Sequence, residues 1–439
     1  MRISVVGTGY LGATHAACLA SWGHDVVGVD PSEERIRPLC QGRASFHEPA
    51  LDDLLSEGVS SGRLAFTTDV AAVAGCDVHF VYVGTPQSDD GLGADLSALW
   101  CALDQLAPSL RPGSLVVGKS TIPVGTARVA RDRLRATTGR DVDLAWNPEF
   151  LREGRAVEDS LLPERLVLGV CTPRAEQVLR QVYRPLVKAG VPVVVTDLET
   201  AELAKVSANL MLAARIGLVN VLAEVCERSG ADAADLTTIL GLDRRIGPHA
   251  LVPGIGYGGG CLPKDSRAFA ARAQQLGVPH ARGLVAHLEA VNRHQAERTV
   301  ALVEQLLGTS LSGARVGVLG AAFKADSDDV RESPALAVAD LLHARGATLR
   351  VYDPAAGDNV RKVAPHLEVA ETAEGACAGA DVVAVLTEWR EFADLDPQEV
   401  GRWVRQCNVL DGRRVLDARA WRAAGWRAQV LGEGTPCAS

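Results

Sequence analysis

Residues 1–30 read MRISVVGTGYLGATHAACLASWGHDVVGVD. A short apolar run, Ile3–Val6, ends on Gly7, Gly9 and Gly12 in the spacing G-x-G-x-x-G; a helical stretch follows, and a second apolar run, Asp25–Val29, closes on Asp30. Strand, glycine turn and helix in that order bring backbone N–H groups to the start of a helix, where the peptide dipoles favour an anion. Glycine there lets a pyrophosphate approach the backbone, and a carboxylate closing the next strand accepts hydrogen bonds from an adenosine ribose. Asp30 stands 18 residues past Gly12. Its charge favours NAD over the 2′-phosphorylated form, which it would repel. The stretch therefore predicts a parallel α/β lobe with Gly7, Gly9, Tyr10, Leu11, Gly12, Asp30 and Arg35 along an NAD cofactor.

The same texture extends outward. Val78–Val83, Ser114–Gly118 and Leu166–Val170 are further candidate strands. Ligands of open parallel sheets sit beyond the carboxyl ends of strands, so Gly84, Thr85 and Pro86 of VGTP border the cofactor or form a plain strand-ending turn, and Thr121 of KSTIPVGTA, in the same layout, offers a hydroxyl to cofactor, substrate or water or caps a helix. From about Thr200 to Ser229 the chain reads as one long helix, apolar on more than one face, with Gly230 as its stop. Such a helix needs cover on more than one side, from this chain or from a second copy. From Ala314 the first pattern returns in the strands ARVGVLG, LRVYDP and DVVAVLT and the helix of SPALAVADLLHARG. The expected fold is α/β, two Rossmann-like doubly wound lobes joined by a long central helix, with domains at 1–199, 200–300 and 301–439.

Composition narrows the function classes. At 439 residues, 47% apolar and 23% charged, the chain has material for several cores. A formal charge of −9 argues against nucleic acid or an anionic membrane as the main partner. The ten cysteines are scattered, with no CxxC pair and no Cys/His cluster at zinc spacing, which points to reduced thiols, a cytoplasmic protein and no metal. The N-terminus lacks the layout of a signal peptide, and no uninterrupted apolar run reaches the roughly 18 residues of a membrane span, so a soluble protein is expected.

Three segments carry candidate chemistry. WNPEFLREGRAVEDSLLPERLVLG, residues 146–169, sets Glu149, Arg152 and Glu153 between two apolar strands, as a solvated loop or as a site. On the long helix, Lys205 and Asn209 lie four apart and project from one face of an apolar segment. PGIGYGGGCLPKDS, residues 253–266, places five glycines before Cys261. Backbone so bare lets a ligand lie against it and turns amide groups toward a developing oxyanion, while nearby Lys264 favours a thiolate. Asp265 is near enough in sequence to orient Lys205 or a water, or to form a plain surface ion pair. In the second lobe, Gly317 and Gly320 are read as a strand end, with Lys324 and Arg331 as cations suited to a phosphate.

Taken in order, GTGYLG, VGTP, STIPVGT, NPEFLREG, AELAKVSANL, GYGGGCLPKD and FKADSDDVRES resemble the UDP-glucose/GDP-mannose dehydrogenase family over nearly the whole chain. The resemblance implies oxidation of a nucleotide sugar, UDP-glucose first among the candidates, from alcohol to carboxylate with two NAD molecules used in succession. It implies Cys261 as nucleophile and Thr121, Glu149, Lys205, Asn209 and Asp265 as catalytic or water-orienting residues. Glu149, Phe150, Leu151, Arg152, Glu153, Lys205, Asn209, Tyr257, Gly258, Gly259 and Gly260 fall on the substrate side, and Lys264 and Arg331 also on the cofactor side. Arg245, in RRIG, matches an arginine that reaches a neighbouring subunit's substrate, which implies a homodimer; Lys324 and Arg331 match a basic pair at the junction of lobes, cofactor and substrate. One departure stands out: the family loop usually reads GGSCFPKD, whereas this chain has Gly260 before the cysteine and Leu262 after it. Competing readings are the same chemistry on a thymidine- or guanosine-linked sugar or on UDP-N-acetylmannosamine, a two-electron hydroxy-acid dehydrogenase, and a non-catalytic nucleotide-sugar sensor.

Overall fold

A computed structural model of the chain describes residues 1–89, 91 and 93–434; Asp90 and Leu92, in the loop after VGTP, and Cys437 lie outside the described residues. The chain divides into two compact units, Met1–Ala208 with Arg267–Pro279, and Asn209–Ser266 with His280–Ser439.

The first unit is built on eight strands: β1 (Arg2–Val6), β2 (Asp25–Val29), β3 (Leu64–Thr67), β4 (Val78–Val81), β5 (Leu115–Gly118), β6 (Asp143–Trp146), β7 (Leu166–Val170) and β8 (Val193–Thr196). Their order is β3-β2-β1-β4-β5-β6-β7-β8. In β1, Ile3 pairs with Val26 on one side and Val78 on the other. Helices cover both faces, so these strands read as near-continuous apolar runs rather than as alternation. The expectation of a parallel sheet holds from β3 to β6 and is corrected beyond it. β7 runs antiparallel to β6, with Ala145 opposite Val170, and β8 runs parallel to β7. The link between β6 and β7 holds the NPEF loop and one short helix, Ala156–Leu161, rather than a helix that would recross the sheet.

The second unit holds β9 (Arg315–Leu319), β10 (Thr348–Tyr352), β11 (Glu368–Val369), β12 (Val382–Val385), β13 (Asn408–Asp411) and β14 (Arg427–Val430), all parallel, in the order β11-β10-β9-β12-β13-β14. The first six strands of each sheet thus share one order, the doubly wound arrangement with its switch point between the first and fourth strands. Gly317 is inside β9, not at its end: a β-carbon there would come within 2.8 Å of the Ala376 carbonyl oxygen, so glycine lets a helix press on the strand. Gly320, at φ +100°, makes the turn. The repeat is chemical as well. Asp353, just after β10, accepts the Ala321 and Ala322 amides at 2.7 and 2.9 Å, much as Asp30, just after β2, accepts the Thr8 amide at 2.9 Å. Asp353 also takes the Trp389 indole N–H at 3.1 Å.

The long helix runs from Leu198 to Ser229, two residues earlier than the apolar pattern suggests, and stops at Gly230, whose φ is +78°. An 18-residue window of it has mean hydropathy 1.6, enough by length and composition to cross a membrane. Most of its buried polar groups instead find protein partners, the Asn220 amide nitrogen being an exception. Glu202 takes the Gly125 and Ala127 amides, Lys205 pairs with Glu149, Asn209 donates to Asp265, and Asn220 accepts from Gly254.

Candidate active site

In the first unit the glycine turn is shaped by its own backbone at two positions and open at the third. Gly7 has φ +93°, and a β-carbon there would lie 2.4 Å from the Tyr82 carbonyl oxygen. One on Gly12 would lie 1.9 Å from the Gly7 carbonyl oxygen. One on Gly9, or on Gly84 in VGTP, would meet nothing within 4 Å. The helix that follows, Tyr10–Ser21, has no side-chain cap and no acid in its first turn, so its leading amides face outward for an anion. Buried Asp30 is held by the Thr8 and Ser32 amides and by Arg35 at 3.4 Å. These residues fit NAD: a bare turn, an uncapped helix start and a fixed carboxylate. The Thr85 hydroxyl donates to the Thr121 carbonyl at 2.7 Å, joining VGTP to STIPVGT.

The NPEFLREG loop is tied back to this turn. Glu48 accepts the Gly154 and Val157 amides at 2.8 and 3.1 Å and the Tyr10 hydroxyl. Burial, with Glu48 beside it, pushes the Tyr10 phenol well above its ordinary range. Glu149 pairs with Lys205 at 2.9 Å, both side chains only 6% exposed, and its other oxygen takes the Leu151 amide at 2.7 Å. Phe150 lies under the Lys205 ammonium at 5.8 Å and under the Arg165 guanidinium at 3.9 Å. Arg152 turns to Asp159 at 2.6 Å. Behind the loop, Asn147 accepts from the Lys119 ammonium at 3.1 Å and the Tyr183 hydroxyl at 2.6 Å.

In the second unit Cys261 caps a helix. Its carbonyl accepts the Asp265 amide at 2.9 Å, and the helix Leu262–Gln275 begins at the next residue, with Pro263 in its first turn where no N–H is missed. The positive end of the helix thus lies at the thiol, a setting that favours thiolate. Asp265, fully buried, accepts from Asn209 at 2.7 Å and from Lys264 at 2.6 Å. Lys264 therefore sits against a carboxylate that offsets the charge expected to act on the thiol.

The loop before Cys261 is fastened at several points. Asn292 accepts the Tyr257 amide and donates to its carbonyl, both at 2.8 Å. Asn220 accepts the Gly254 amide at 2.9 Å. Arg413 donates to the Gly256 and Phe323 carbonyls at 3.2 Å each and to Leu386 at 3.1 Å. The last three glycines lie flat on the FKADSDDVRES segment. A β-carbon on Gly258 would be 2.1 Å from the Glu332 carbonyl oxygen, one on Gly259 2.9 Å from the Phe323 ring, and one on Gly260 2.4 Å from the Arg331 guanidinium carbon. In that segment the Lys324 ammonium lies 5.6 Å from the Phe323 ring centre, and Arg331 pairs with Asp329 at 2.6 Å. Arg245 is strongly exposed and pairs with Asp243 at 2.6 Å.

Glu48, Lys119, Asn220, Asn292 and Arg413 were not apparent as site residues, because each acts across a long stretch of chain. Only Arg413 carries a local signal: DGRR follows directly on a buried strand end.

Family models match almost the whole chain: residues 1–187 the UDP-glucose/GDP-mannose dehydrogenase family NAD binding domain, 199–294 its central domain and 317–418 its UDP binding domain. A UDP-glucose 6-dehydrogenase of Haloferax volcanii is 42% identical over 429 residues, covering 95% of this chain and 98% of that one. One of Rhizobium meliloti is 39% identical over 436 residues, covering 98% and 99%. Among solved structures, a UDP-glucose dehydrogenase from Pyrobaculum islandicum superposes with TM-score 0.89 at 35% identity, covering 99% of this chain and 98% of that one. A UDP-D-ManNAc dehydrogenase from Pyrococcus horikoshii does so with TM-score 0.86 at 30% identity, covering 99% of each.

Proposed function

The chain belongs to the UDP-glucose/GDP-mannose dehydrogenase family and is an NAD-dependent nucleotide-sugar dehydrogenase, and from that premise we propose that it oxidises UDP-glucose to UDP-glucuronate through covalent catalysis by Cys261. The observation that carries the reading is Cys261 at the positive end of the Leu262–Gln275 helix, with buried Asp265 one turn on and bonded to Asn209. The preference for glucose rests on the relatives at 39% and 42% identity, since solved structures named for two different UDP-sugars superpose almost equally well.

Gly7, Gly9, Gly12 and Asp30 would hold NAD, with Gly84, Thr85 and Pro86 beside it. NAD, when bound, accepts hydride, first from the alcohol carbon and then, as a second molecule, from the trapped aldehyde. Lys205, or a water oriented by Asp265, takes the hydroxyl proton in the first oxidation. Cys261 then adds to the aldehyde carbon, forming a carbon–sulfur bond while the carbonyl oxygen takes a proton, so that the aldehyde hydrogen, now on a tetrahedral carbon, can leave as the second hydride. The thioester so formed is hydrolysed by water placed by Glu149 and Thr121, while Lys205 and Asn209 stabilise the oxyanion and Cys261 leaves as thiolate. Phe150, Leu151, Arg152, Glu153, Tyr257 and Lys324 form the substrate side, and Lys264 and Arg331 the cofactor side. We assign the cofactor, central and nucleotide-sugar roles to residues 1–199, 200–300 and 301–439.

Two further proposals concern the assembly and its setting. Met211, Leu218 and Val225 repeat every seven residues on the long helix and are 66%, 59% and 56% exposed, an apolar stripe suited to a second copy in a homodimer. Arg245 then reaches the partner's substrate. The enzyme works in the cytoplasm, without membrane or nucleic acid as partner.

Counting NADH per UDP-glucose tests the chemistry. Two are expected, and one would reduce the reaction to a simple alcohol oxidation. Cys261→Ser should keep NAD binding and lose steady-state turnover; turnover near wild type would rule out covalent catalysis.

A further inference from the structure

In this chain a glycine stands where the family loop usually carries serine, and the space of that missing side chain is filled by Arg331. A β-carbon on Gly260 would lie 2.4 Å from the guanidinium carbon and 2.6 Å from each terminal nitrogen. The cation is therefore within about 4 Å of the α-carbon that precedes Cys261. It is held there from three sides. Asp329 binds Nε and Nη2, the Arg331 carbonyl accepts the Gly259 amide at 3.0 Å, and neighbouring Glu332 contacts Gly258 through backbone.

We propose that Arg331 is a positioning residue that keeps the Cys261 thiol reactive as thiolate, and that Gly260 is glycine so that this guanidinium can lie against the nucleophile loop. The proposal rests on Cys261 as the nucleophile. A positive group beside a thiol favours its ionised form, and it adds to the helix end at the same residue.

The other charges around the loop have partners of their own. Lys264 is bound by Asp265 at 2.6 Å, and Arg413 lies 3.4 Å from Glu388 while donating to three carbonyls. Lys324 lies over Phe323, and Glu332 meets the loop through its backbone. Arg331 is itself paired with Asp329, through Nε and Nη2. Nη1 and Nη2 lie equally close to the β-carbon position of Gly260.

The three glycines differ in what a side chain would displace. At Gly258 the obstacle is backbone, which cannot yield; at Gly260 it is the end of a flexible arginine. Gly260→Ser should therefore fold and push the guanidinium away.

The test is the pH dependence of Cys261 alkylation by iodoacetamide, followed by peptide mass spectrometry on the full chain without NAD or nucleotide sugar. That omission separates this role from any contact of Arg331 with cofactor. In Arg331→Met and in Gly260→Ser the midpoint should rise by about one pH unit. The double variant should rise no further than Arg331→Met alone, and Arg331→Lys should stay close to wild type. An unmoved midpoint in folded Arg331→Met, or an equal shift in Arg331→Lys, would overturn the proposal. Loss of turnover in Cys261→Ser, measured separately, keeps the failure of this idea distinct from failure of the covalent mechanism.

Discussion

Burial pulls the Lys119 ammonium down to about 7, against partial support from Glu149 and with Lys205 adding to the fall. The unfolded chain holds the same proton to about pH 10.4. Between those values the unfolded state binds more protons, so stability must rise with pH, and below about 7 the dependence vanishes. Lys119→Met removes the titration. Urea unfolding at pH 7 and pH 9 should show the wild type gaining about 2 kcal/mol on this variant; a constant gap would place Lys119 in a wetter site than its cage of Asn147, Tyr82 and Tyr183 suggests. At the same scale, Lys205→Ala should lower the rate far more than NAD affinity, and an unchanged rate would remove it from the chemistry. Residues with a local reason were legible in sequence, such as Gly7 and Gly12 in their turn. Asn292 was not, because a plain amide on a helix does not reveal that it clasps Tyr257 from 35 residues away.

Helix ends and strand edges hold the next level of information. The helix Thr126–Thr138 starts at Gly125, φ +94°, without a side-chain cap of its own. Glu202, on the long helix, supplies it from 75 residues away, taking the Ala127 amide at 2.5 Å and the Gly125 amide at 2.6 Å. Burial raises the Glu202 carboxyl to about 7. The folded state then binds more protons than the unfolded one between about pH 4.5 and 7, so this group's contribution falls as pH rises through that window. Glu202→Ala leaves two buried amides without partners and should cost about 1–3 kcal/mol in thermal or urea unfolding. An unshifted transition would mean that water replaces the carboxylate. Strands β3 and β8 escaped the sequence reading because each is four residues long and only partly buried, β8 exposing Val194 and Val195, whereas β4 and β5 are as short but buried throughout. A period cannot be established over four residues, whereas the long helix offered eight turns of it.

For the whole molecule, the doubled strand order is the main feature that sequence left faint. The architecture of the second lobe was readable from strands ARVGVLG and DVVAVLT, but the equivalence of Asp353 to Asp30 depends on where each carboxylate finds its amides. Assembly gives the test at this scale. Leu218→Glu sets a charge in the exposed stripe of the long helix and should shift sedimentation equilibrium toward monomer; an unchanged mass would move the interface elsewhere.

The saturation of Asp353 reaches further than architecture. With four backbone amides and the Trp389 indole on it, Asp353 is committed to its own lobe, which leaves the turn closed by Asp30 as the dinucleotide seat of the proposed reaction. A reaction that removes two hydrides from one sugar must then empty and refill that seat midway. In the proposed mechanism the half-oxidised sugar has to wait through that exchange of visitors, and the covalent tether proposed at Cys261 is what would keep it from being lost.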